Sequence, residues 1–97
     1  MEEKLLQIIN HYEINHQQRK LEEEVFELQE ALIEYTCDFE NDFYEQVEQG
    51  HKEHITEEIA DVMVLLRQFQ CLFEIKDEDI NRIMQKKVNR QIERIGD

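Results

Sequence analysis

Apolar residues recur along this 97-residue chain at helical spacing, and the polar residues between them mark where one helix gives way to the next. Leu5, Ile8 and Ile9 share one side of a short segment from about Glu2 to Tyr12, with Asn10 and Asn15 as the first cap and break. From about Asn15 to Thr36, Leu21, Val25, Leu28, Leu32 and Tyr35 alternate by four and three, the stripe of an amphipathic helix. Phe26 and Ile33 fall nearly opposite, which suggests contacts both within the subunit and beyond it. The pattern weakens between Cys37 and His51, where Phe39, Phe43, Tyr44 and Val47 are scattered among acids and Gly50 ends the stretch. This predicts a connector with at most a helical piece, closed by the glycine. A third helix, about Lys52 to Glu74, sets Ile55, Ile59, Val62, Leu66, Phe69 and Phe73 in register. Asp77 then caps a fourth helix with an acidic first turn and an inner face of Ile80, Met84, Val88, Ile92 and Ile95. The expected fold is all-α: one domain over residues 1–97, a four-helix bundle-like subunit that dimerises through helix packing.

Charge narrows the function. The net charge of −13 repels a phosphate backbone, which argues against nucleic-acid polymers and against an anionic membrane surface. An apolar content of 40% separates the chain from disordered acidic tails. Cys37 and Cys71 form no CxxC pair, and the start Met1-Glu2-Glu3-Lys4 lacks the pattern of a signal peptide, so a cytoplasmic protein is expected. A domain this small buries only about 60 to 70% of its extended surface, marginal for a lone monomer, so a homodimer or dimer of dimers is the expected state.

Two pairs of acids are misplaced for a solvated face. Glu24 and Glu27 lie three apart on the second helix, and Glu58 and Asp61 three apart on the third, so each pair shares one helical face. Glu24 flanks the apolar stripe, and Glu58 falls inside the arc of Ile59, Val62 and Leu65. Ionised carboxylates in an apolar layer are costly, and converging ones more so, unless they are protonated or hold a cation. Magnesium, with manganese as its substitute, takes oxygen ligands of this kind. The plainer reading, solvated glutamates flanking a charged bundle, stays open on spacing alone. Arg82, Lys86, Lys87, Arg90 and Arg94 gather five of the eleven basic residues in the fourth helix. They complement the helix dipole or contact a polyanion.

Gln17-x-x-Lys20-Leu21-x-Glu23-Glu24-Val25-Phe26-Glu27-Leu28, followed by Glu57-Glu58-Ile59-Ala60-Asp61-Val62, resembles the MazG-like nucleotide pyrophosphohydrolases of the all-α NTP pyrophosphatase superfamily. The resemblance covers roughly residues 5 to 95. It implies a dimerising helical bundle and magnesium held by catalytic carboxylates matching Glu24, Glu27, Glu58 and Asp61. It also implies cleavage of a nucleoside triphosphate between the α and β phosphates. The phosphate-binding cations correspond to Lys87 and Arg90, with Lys20 as a further candidate. The long acidic and aromatic connector departs from this pattern; Phe39, Phe43 and Tyr44 stack a base or pack an interface.

Other classes compete. Glu13–His16 and Glu48–His51 match the ExxH of di-iron bundles, but both fall at predicted helix breaks. His51 and His54 give a weak zinc signal. An acidic, non-enzymatic interaction module docking through Phe26 and Ile33 accounts for the charge but leaves Glu58 unexplained.

Overall fold

The computed structural model describes the backbone of residues 1–38 and 44–96 and the side chains of 1–37 and 48–96. Phe39, Phe43 and the side chain of Tyr44, expected to stack or pack, lie outside the described residues. The fold is all-α as expected. Four helices follow in order: α1 (Glu2–Tyr12), α2 (Ile14–Asp38), α3 (Tyr44–Leu72) and α4 (Asp77–Gly96).

One residue separates α1 from α2. Glu13 adopts φ 70° and ψ 155°, a region that favours glycine, yet its N–H donates to Ile9 O and its carbonyl accepts from Gln17 N. The chain thus turns without losing either backbone bond. Gly50 does not end a connector. It lies inside α3, which begins at Tyr44, about two turns before the predicted start. A helical glycine costs about 1 kcal/mol relative to alanine, which a 29-residue helix packed along its length absorbs.

The inner faces differ from the predicted stripes. On α2 the buried or half-buried positions among the described side chains are Ile14, Gln17, Leu21, Glu24, Leu28, Ala31 and Tyr35. On α3 they include His51, Ile55, Glu58, Val62, Leu65, Phe69 and Leu72. Both series alternate by four and three, the seam of two coiled helices. Val25, Leu32, Ile59 and Leu66, expected inside, are largely exposed, because Glu24, Ala31, Glu58 and Leu65 hold the facing positions. Tyr35 meets His51 edge-on at one end, and Gln17 Nε2 donates to Gln68 Oε1 at 2.8 Å at the other, so α2 and α3 run antiparallel. Gln17 and Gln68 are almost fully buried, and their mutual bond satisfies amides that would otherwise oppose folding. Leu5 and Ile9 of α1 are buried as well, and α1 packs on α3 and, less extensively, on α2.

A compact turn ends α3. Glu74 takes φ 55°, its N–H donates to Cys71 O, and Ile75 N–H donates to Gln70 O, which closes the helix with a left-handed residue that is not glycine. Asp77 does not cap α4. The Lys76 carbonyl takes the first bonds of α4, while the Asp77 carboxylate accepts from Arg67 Nη1 at 2.8 Å and from Gln70 Nε2. These contacts hold Asp77 below the ordinary aspartate range, the Gln70 bond first and the Arg67 charge next. Beyond this elbow α4 makes no helix–helix packing contact among the described residues. The Cα radius of gyration is 17.0 Å, against about 12.5 Å for a compact chain of this length.

Candidate metal centre

The seam of α2 and α3 brings three of the four predicted carboxylates together. One oxygen from each of Glu24, Glu27 and Glu58 lies within 4.8 Å of the others. Glu24 is 8% exposed, Glu58 half-buried and Glu27 exposed. Asp61, the fourth, is exposed on α3 and is not among the three. Glu24 and Glu58 occupy inward seam positions; Glu27 and Asp61 stand three residues further along, on the rim, and of these two Glu27 joins the cluster.

Glu24 Oε2 and Glu58 Oε2 are buried with no hydrogen-bond partner. Buried carboxylate oxygens ordinarily find donors, because leaving one bare forfeits its hydration with nothing in return. The outer oxygens do have neighbours. Lys20 Nζ lies 3.2 Å from Glu24 Oε1 and 3.6 Å from Glu23 Oε2, and Glu24 foremost raises the Lys20 pKa above that of a free lysine. His54 Nε2 lies 3.3 Å from Glu58 Oε1, and its Nδ1 lies 3.9 Å from Glu34 Oε2 on α2.

Crowding shows in Glu27. Its pKa is raised above the usual carboxylate range, first by a hydrogen bond with Glu24 that favours the acid form. The Glu24 charge, desolvation and the Glu58 charge add to the effect, and Lys20 opposes it. Without a cation, a proton relieves the repulsion.

The donor set suits a hard divalent ion. All three groups offer oxygen, and two oxygens across an octahedral magnesium stand about 4.2 Å apart, close to the observed spread. Manganese is accommodated by the same donors. The ExxH pairs supply nothing comparable. Glu13 sits at the α1–α2 break, and His16 bonds Gln17 at 2.8 Å and stacks on Tyr12. Glu48 and His51 lie within one helix, contrary to the predicted break between them, and His51 faces Tyr35.

Lys87 and Arg90 are exposed on α4, which packs against neither α2 nor α3, and no ion pair joins them to the three glutamates. Lys20 reaches the cluster as a partner of Glu24. Sequence reasoning read His54 only as a weak zinc signal with His51 and missed Glu34. The signal was present, since His54 precedes Glu58 by four residues as Lys20 precedes Glu24.

No described helix is long and apolar enough to cross a membrane. No protein-family model, curated protein or solved structure matches the chain.

Proposed function

We propose that the chain is a magnesium-dependent nucleotide pyrophosphohydrolase of the cytoplasm, splitting nucleoside triphosphates between the α and β phosphates into the monophosphate and pyrophosphate. The observation that carries this reading is the pair of buried, unpartnered oxygens, Glu24 Oε2 and Glu58 Oε2, aligned with Glu27. The resemblance of the paired EExxEL and EExxD signatures supplies the reaction class. Glu24, Glu27 and Glu58 hold the ion, and Asp61, next along α3, is the fourth carboxylate that the resemblance assigns to it.

A bound magnesium supplies Lewis-acid polarisation of the phosphate and acidification of water. The chain's own residues do the rest. Glu24 and Glu58 hold fixed negative charge at the seam, away from solvent. One of the carboxylates takes the proton of the attacking water. Lys87 and Arg90 neutralise the departing pyrophosphate.

These two cations stand on α4, away from their own subunit's carboxylates, so in this reading a second copy of the chain supplies them. Surface area supports association. The chain exposes 8324 Å², against about 5,900 Å² for a compact monomer of 11.9 kDa. The working unit is accordingly a homodimer or a dimer of dimers.

The test is Glu58→Gln, assayed for magnesium-dependent release of monophosphate and pyrophosphate across ribo- and deoxyribonucleoside triphosphates. Activity is expected to fall at least about 100-fold. Activity equal to the wild type removes the reading. One observation favours the non-enzymatic module: Phe26 and Ile33 are 58% and 61% exposed on the outer face of α2. Isothermal titration with magnesium and non-hydrolysable triphosphates separates the two, since a docking module binds neither.

A further inference from the structure

Glu24 and Glu58 sit on different helices, yet each is held in the same way. Lys20, four residues before Glu24, places Nζ 3.2 Å from Oε1. His54, four residues before Glu58, places Nε2 3.3 Å from Oε1. In both carboxylates the other oxygen, Oε2, is the buried one without a partner. Each outer oxygen is engaged and each inner oxygen is left for something else.

The terminal torsion of a glutamate is broad and nearly two-fold, so an unrestrained carboxylate exchanges its two oxygens readily. A donor on one oxygen removes that freedom. Spacing of four residues on a helix puts the donor directly below its acid, so the restraint comes from within each helix. Both donors are themselves backed by a second acid: Glu23 lies 3.6 Å from Lys20, and Glu34 of α2 lies 3.9 Å from the far nitrogen of His54.

We infer that Lys20 and His54 are matched positioning residues, fixing the outer oxygens of Glu24 and Glu58 so that the two inner oxygens are presented together to a divalent cation. The inference rests on the metal-site reading above and deepens it. Lys20 is then no substrate contact. His54, with Nε2 3.3 Å from Glu58 Oε1, then pairs with that oxygen and is not a ligand.

Simple electrostatics predicts the opposite of this assignment, which makes the test sharp. Removing a positive group beside an acidic site tightens the binding of another cation if charge competition dominates. Removing a clamp weakens it, typically 10- to 100-fold for a residue that orients a ligand. The experiment titrates Mn2+ alone into the full chain, read by electron paramagnetic resonance, for the wild type, Lys20→Met, His54→Leu and His54→Gln. Lys20→Met and His54→Leu are each expected to lose about 10- to 100-fold in affinity. His54→Gln, whose amide Nε2 still donates, is expected to recover most of the loss. The Lys20 and His54 side chains are 45% exposed but those of Glu24 and Glu58 only 10% and 13%, so metal-free melts of the same variants separate lost binding from lost folding. Unchanged or tighter binding in Lys20→Met and His54→Leu overturns the positioning role while leaving the metal site standing. A wild type that binds no Mn2+ removes the metal site, and the clamps with it.

Discussion

The α2–α3 seam buries two carboxylate oxygens that nothing in the chain satisfies, whereas α4 leaves Ile83, Met84, Val88, Ile92 and Ile95 in solvent beside five cations. The two regions are incomplete in opposite senses. The seam is packed, yet one oxygen of Glu24 and one of Glu58 are left without a partner there. The arm is amphipathic and lacks a surface to pack on. At the elbow between them, Met63, Leu66, Phe69, Phe73, Ile80 and Met84 line a groove of about 560 Å³, so the unpacked apolar surface is continuous from α3 onto α4. Buried acids in a folded seam point to a small ligand, and exposed apolar side chains on an ordered helix point to a macromolecular one.

Glu24→Leu breaks the seam's side of this contrast most directly. Leucine at a seam position replaces an unsatisfied carboxylate with an apolar group, so the metal-free chain should gain about 1–4 kcal/mol. Chemical denaturation without metal should show the gain, and Mn2+ titration should show binding lost. Destabilisation of the metal-free protein would mean that Glu24 is satisfied in its apo state and that the seam is not waiting for an ion.

Ile92→Glu addresses the arm. The side chain is 62% exposed and, among the described residues, α4 packs on no other helix, so the subunit fold should be unaffected. Self-association should weaken by about 100-fold, because a carboxylate would enter an apolar contact. Sedimentation velocity across a concentration series reads this. An unchanged distribution would place the contact elsewhere.

A smaller effect compares the helices themselves. A Cβ built on Gly50 meets nothing within 4 Å, so Gly50→Ala should stabilise α3, and with it the seam, by about 1 kcal/mol. Asn89→Ala on α4 should raise helicity while leaving the melting of the bundle in place, because the arm contributes no packing to it. Circular dichroism melts of the two variants at low concentration would make the contrast quantitative. A shift from Asn89→Ala equal to that from Gly50→Ala would show that arm and seam unfold together.

The smallest effect is the pH response, and its sign differs between the regions. Glu27, raised in the folded chain, contributes stability that is complete below its unfolded pKa and lost as pH rises through the folded value. Asp77, lowered at the elbow, contributes stability present above its unfolded value and lost as pH falls through the folded one. Metal-free melts should therefore lose their dependence at and above the ordinary carboxylate range in Glu27→Gln, and their dependence at more acid pH in Asp77→Asn. Cation binding should itself weaken as pH falls through the Glu27 value, because proton and metal compete for the same oxygens.

Helix identity and the bounds of α1 and α4 were legible, because little in the chain interrupts a helix and the acidic run at Asp77 marks a beginning. Gly50 misled, since a glycine weakens an isolated helix and a packed one overrides that cost. The stripe on α2 was read as Leu21, Val25, Leu28, Leu32 and Tyr35 by counting only apolar residues. Gln17, Glu24 and Ala31 hold the true seam, and polar residues at core positions are invisible to a hydrophobic count. Glu24, Glu27 and Glu58 were legible because three-residue spacing fixes a face. Asp61 shares that spacing but sits on the rim, and periodicity alone does not distinguish rim from seam. That α4 packs on no other described helix was unreadable, since an apolar stripe looks the same whichever chain covers it.

The elbow carries a mechanical consequence. A 20-residue helix is about 30 Å long, so a rotation of roughly 10° at its base sweeps the tip through about 5 Å. That base is held by Arg67, Gln70 and Asp77, all meeting at one solvent-facing carboxylate oxygen. Leverage of this kind makes Arg67 the gauge for whatever α4 reaches: a polar contact at the fulcrum sets how accurately Lys87 and Arg90, about three turns out, are positioned.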